Sequence, residues 1–119
     1  MTTITTINIR TLKVSVHARA HRWDRITRCV QAVGGLGEVV FMCDSTKGKY
    51  SGERVVQVLT STGMMLVVNV TTNTLVTAYL ASMRYTMGLY YSAGFNRLPD
   101  EMFRVIKYNE RKLSHLYNL

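Results

Sequence analysis

At 119 residues, with 47% of them apolar, the chain has the length of one domain and enough nonpolar surface to bury a core, which excludes wholesale disorder. Fifteen Lys and Arg stand against seven Asp and Glu, a formal net charge of +8 that favours phosphate-bearing polymers, RNA or another nucleic acid, as partners. The longest apolar stretch, residues 64–70, is interrupted by Asn69 and too short to span a bilayer, and the opening MTTITTINIR lacks the basic-then-apolar pattern of an export signal, so the expected setting is the cytoplasm, with no membrane association.

The predicted elements begin with a strand from Ile4 to Val16, where Leu12, Val14 and Val16 alternate with Lys13 and Ser15. The period then lengthens. Trp23, Ile26, Val30 and Val33 recur at spacings of three and four and predict a helix over residues 17–33, stopped by Gly34 and Gly35. Glu38 to Cys43 reads as a short strand or irregular apolar segment, and residues 47–52 as a basic loop. Three strands rich in valine and threonine follow at Arg54–Thr60, Met64–Val70 and Leu75–Leu80, and their short connections imply an antiparallel meander. Residues 55–83 carry no charge, which suits either the interior of the fold or a subunit interface such as that of a homodimer. The middle strand is apolar on both faces and is expected to be central and covered by helices. Residues 82–91 are ambiguous between helix and loop. Leu98-Pro99-Asp100-Glu101 opens a last helix over residues 99–117, with proline at its first position and a seam of Met102, Ile106, Asn109, Leu113 and Leu116. The expected fold is a single α+β domain over residues 1–119, a three- to five-stranded antiparallel sheet packed against an N-terminal and a C-terminal helix.

The strongest chemical candidate is the polar face of the first predicted helix. His17, His21, Asp24, Arg25 and Arg28 fall at spacings that place them on one side. Imidazoles move protons near neutral pH, and guanidinium groups hold phosphate through paired hydrogen bonds. Together they supply what RNA cleavage without a metal requires: a group to take the 2′-hydroxyl proton, one to stabilise charge on the phosphate, and one to protonate the leaving oxygen. The competing reading is an ordinary solvated helix face. His17 and His21 lack the intervening glutamate of an HExxH motif, so no metal or other cofactor is expected.

A second candidate is the cluster Arg84, Tyr85, Tyr90, Tyr91, Phe95 and Arg97, whose rings offer surfaces for bases to stack on, against the alternative that the rings pack the core. A third is Lys47, Lys49 and Arg54, suited to a phosphate backbone but without the spacing of a nucleotide-binding P-loop. Cys29 and Cys43 have no CxxC spacing and read as free thiols, with Cys29 near the apolar side of its helix.

The run Val14-Ser15-Val16-His17-Ala18-Arg19-Ala20-His21-Arg22-Trp23-Asp24-Arg25 resembles the strand-then-helix opening (I/V)-x-x-H-A-x-x-R-x-x-(E/D)-R of small ribonuclease toxins of the BrnT and RelE-like type, and of related phage proteins. Leu75-Val76-Thr77-Ala78-Tyr79 is similar to the strand that closes their sheet. The resemblance implies an N-terminal helix against a curved antiparallel sheet, RNA cleavage without metal, and neutralisation by an antitoxin. It carries over onto His17, Ala18, Asp24 and Arg25. The family's first arginine falls on His21, with Arg22 beside it, which is a departure.

The resulting expectation is a metal-independent endoribonuclease of the toxin type, or a catalytically inactive relative that binds RNA. Its catalytic residues would be His17, His21, Arg25 and Tyr79. Nucleic acid would be held by Arg22, Arg28, Lys47, Lys49, Arg54, Arg84 and Arg97. The alternative is a small phage-encoded protein without enzymatic activity, whose basic surface meets nucleic acid or an acidic protein partner.

Overall fold

The computed structural model of the chain describes residues 9–45 and 52–117. After a 3-10 turn at Ile9–Thr11 the elements are β1 (Lys13–Val14), α1 (Val16–His21), α2 (Trp23–Val33), β2 (Val39–Asp44), β3 (Val55–Thr60), β4 (Met64–Asn69), β5 (Thr74–Leu80), α3 (Met83–Ser92), α4 (Asp100–Lys112) and α5 (Ser114–Tyr117). No helix among the described residues is long and apolar enough to cross a membrane.

All six residues of β3 are buried, as are five of the six in β4. Side chains alternate across a sheet, so strands apolar on both sides must be covered on both faces. Val56, Val58, Met64, Leu66, Val68, Leu75, Ala78 and Leu80 meet Ala18 of α1, Ile26 and Cys29 of α2, and Leu116 of α5. On the other face Leu59 and Met65 meet Tyr90 of α3 and Met102 and Ile106 of α4. The sheet is therefore the middle of three layers, and the uncharged block of residues 55–83 supplies most of it.

Strands β2 to β5 form the expected antiparallel meander, in the order β1-β5-β4-β3-β2. The sheet as a whole is mixed, however, because β1 pairs parallel with β5. This corrects the expectation of a wholly antiparallel sheet. Hairpin connections dictate antiparallel neighbours, but β1 reaches β5 from the far end of the chain, and its direction is not constrained by a tight turn. Lys13 N–H donates to Asn73 O and Ser15 N–H to Leu75 O, each at 3.0 Å, and the Asn73 side chain donates to Thr11 O at 3.1 Å.

The predicted strand from Ile4 to Val16 is likewise corrected over its described part. It pairs only at Lys13 and Val14, and helix has begun by Val16, because the Ser15 hydroxyl caps α1 by accepting from Ala18 N–H at 3.0 Å. Val16 is left 87% exposed at the start of the helix, so its place in the alternation was coincidental. The single helix over residues 17–33 is two helices, broken where Arg22 leaves helical backbone angles (φ −127°, ψ −8°). Gly34 ends α2 in the left-handed conformation, as expected.

The ambiguous residues 82–91 belong to α3, capped by the Ser82 hydroxyl. In the last helix Pro99 is the capping residue, one position before its expected place, and Leu113 divides α4 from α5. That break lets the C-terminal turn pass from one face of the sheet to the other. Leu116 then enters the first core, and Tyr117 donates its hydroxyl to Ala81 O at 3.0 Å.

Two substitutions test this packing. Gly63, in the β3–β4 turn, has φ +89°, and a Cβ there would lie 2.5 Å from Asn109 Nδ2, which itself donates to Thr62 O at 3.0 Å. Gly63→Ala should cost about 1–3 kcal/mol in chemical denaturation. The Thr86 hydroxyl is buried with no hydrogen-bond partner among the described residues. Thr86→Val should therefore be neutral or stabilising, by up to about 1 kcal/mol, where loss of a bonded hydroxyl would destabilise.

Candidate nucleic-acid interface

β1 covers β5 only at Thr74 and Leu75. Past Leu75 no described strand lies beside β5, and along this open edge four of the predicted site residues, His17, Arg22, Arg25 and Tyr79, come together. Between Leu75 and Thr77 the β4–β5 register shifts, leaving Val76 as an extra residue. Such a bulge re-aims the strand, and here it keeps Leu75 and Ala78, three positions apart, on the same core face. The hydrogen bond from Ala81 N–H to Gly63 O (2.8 Å) sets the alternation beyond the bulge. Thr77 and Tyr79 then bond to β4, and the N–H and C=O of Ala78 turn to the open edge.

A cleft of about 350 Å³ lies against this edge. It is lined by residues 76–79 of β5 together with His17 from α1, Arg22 from the helix break and Arg25 from α2. Arg22, at the break itself, and Arg25, in the first turn of α2, thus share one opening with His17 near the start of α1. Arg25 is half-buried, and its Nε–H is buried without a hydrogen-bond partner among the described residues. A buried guanidinium N–H left unpaired is costly, and Arg25 itself lines the cleft, where its guanidinium group can pair with an anion. The His21 ring lies 4.9 Å from that of His17, tilted by 45°, just outside the lining.

Tyr79 is positioned differently from the other three. Its ring packs against the second core, and its hydroxyl accepts from Gln57 Nε2 at 3.1 Å, while the Tyr85 hydroxyl donates to Gln57 Oε1 at 2.9 Å. Burial pushes the Tyr79 phenol up to about 12; the Tyr85 phenol adds to the rise and the Gln57 amide opposes it. Tyr79 is thus a neutral hydroxyl throughout the physiological range. Gln57, 1% exposed, organises this trio and was not among the predicted residues. The signal for it was present, since it is a lone amide within a run of valines and leucine.

The remaining predicted contacts disperse. Arg28 pairs with Asp24 at 3.1 Å, Arg54 with Asp44 at 3.2 Å, and Arg97 with Asp100 at 3.7 Å, all at the surface. Arg84 lines a separate cavity between α3 and the end of β2. Lys47 and Lys49 lie outside the described residues. Of the aromatic cluster, Tyr90 is buried and stacks on Phe41 at 4.0 Å, while Tyr91 and Phe95 remain more than half exposed. Cys29 is buried, as expected of an inert thiol, and that burial pushes its pKa up. No three His, Cys, Asp or Glu side chains gather among the described residues in a way that could hold a metal ion.

No family model, curated protein or solved structure matches this chain.

The raised Tyr79 value has a consequence for stability. A phenol that ionises near pH 10 when unfolded but near 12 when folded releases its proton first from the unfolded chain. Its contribution is therefore intact below pH 10 and is lost as the pH climbs towards 12. Denaturation profiles of the wild type should fall through this window, and those of Tyr79→Phe should fall less steeply.

Proposed function

We propose that the protein binds RNA with a backbone phosphate in the cleft between Arg22, Arg25 and His17, and cleaves it there without a metal ion. The observation that carries this reading is the half-buried Arg25, which lines one cleft with Arg22 and His17 on the open edge of a sheet. A half-buried cation in a basic protein calls for an anion, and the imidazole in the same cleft provides proton transfer. The resemblance of residues 14–25 to BrnT and RelE-like toxins favours the same chemistry, and with it an acidic protein partner that covers the cleft.

In the proposed reaction His17 takes the proton of the RNA 2′-hydroxyl, and the 2′-oxygen bonds to phosphorus. The bond to the 5′-oxygen breaks, and that oxygen is protonated by His21, the second imidazole within reach. A cyclic phosphate and a free 5′-hydroxyl result. Arg25 and Arg22 stabilise the charge that builds on the phosphate oxygens. Tyr79, neutral near pH 7, lines the cleft and does not act as the base.

Incubation of labelled RNA with the protein in EDTA tests the reading. Cleavage is expected from the wild type, with a loss of about a hundredfold or more in His17→Ala and weakened binding in Arg25→Ala. RNA that is bound but left intact at high protein concentration would replace the nuclease with a pure RNA-binding protein. Failure to bind RNA at low salt would sink both.

A further inference from the structure

The cavity between α3 and the end of β2 is an open surface depression of about 710 Å³, some twice the volume of the cleft beside His17. Gly88 stands in its wall, in the middle of α3, and a Cβ built there would meet no heavy atom within 4 Å. Glycine weakens a helix interior relative to alanine. Its backbone here is not left-handed, so no turn requires it, and what its missing side chain provides is space in the cavity. Tyr85 and Leu89 offer flat apolar surface, and Asp44 and Arg84 stand among the lining as hydrogen-bonding groups.

Lining residues held in common place this cavity and the phosphate cleft on either side of a third depression. Ser82 and Tyr85 also line a middle cavity of about 290 Å³, which in turn shares Arg25 and Tyr79 with the cleft. A strand laid along the three depressions runs from Arg25, past Tyr79 and Tyr85, to the opening beside Gly88.

We propose that the Gly88 cavity is a nucleobase subsite, which makes the ligand single-stranded RNA with an unstacked base lodged against Tyr85 and Leu89. The inference rests on the RNA reading above. Bases in a duplex stay stacked and cannot enter such a cavity, whereas single strands can splay a base onto an aromatic wall.

Fluorescence anisotropy of the full chain with three labelled probes tests it: a short single-stranded RNA, an abasic oligomer of the same length, and a blunt RNA duplex. The base-bearing strand is expected to bind about tenfold tighter than the abasic one, and more tightly than the duplex. Gly88→Leu, which fills the cavity and improves helix propensity, should reduce the base-bearing strand to the abasic level and leave abasic binding unchanged. Arg25→Ala should weaken both single strands alike. Should Gly88→Leu melt well below the wild type, Ala93→Leu fills the same cavity from the end of the helix. Wild-type affinity in the filled variant, or equal affinity for strands with and without bases, overturns the subsite while RNA binding through Arg25 stands. Absence of binding to every probe at low salt overturns the subsite together with the reading beneath it.

Discussion

The double-sided burial of β3 and β4 is the constraint from which the rest of the architecture follows. Two strands with apolar residues on both faces cannot border water, so helices must cover both sides of the sheet. The chain meets this demand unevenly. Its beginning and its last described turn share one face, and the intervening α3 and α4 take the other. The candidate site lies where these two coverings meet, along the part of β5 that β1 leaves open.

That location accounts for how charge is used. Arg28, Arg54 and Arg97 sit where water reaches them, and their ion pairs with Asp24, Asp44 and Asp100 are of the kind worth little in free energy. Arg25 is held half inside, between a helix and a strand edge, where an unpaired N–H matters more. Net charge alone does not distinguish these arginines. Their neighbours do.

Much of the fold was legible in the residues. The meander over residues 54–80, the left-handed stop at Gly34 and the seam of the C-terminal helix all follow from local periodicity and turn chemistry. What was not legible depends on contacts distant in sequence or on single backbone angles. The parallel pairing of β1 joins Lys13 to Thr74, and no local pattern encodes that direction. The breaks at Arg22 and Leu113 interrupt patterns that continue as helix on either side. The site was partly legible for the same reason. Helical spacing grouped His17, His21 and Arg25, of which the cleft brings together His17 and Arg25 with His21 just outside, but it also included Arg28, which pairs with Asp24 at the surface. Gln57 stands out in the sequence as a lone amide among valines, but its partners Tyr79 and Tyr85 meet it only when the sheet and α3 are assembled around it.

The placement of Leu116 beside Ala18 and Ile26 has a temporal meaning. As the polypeptide leaves the ribosome, α1 and α2 emerge before β5 and find no complete core to join. β5 is made more than forty residues after them, and the turn that completes their hydrophobic cluster comes later still. The cleft that holds His17 and Arg25 therefore takes shape only after β5 has been made, so a nascent chain still short of residue 79 presents its basic residues without the walls that would orient them.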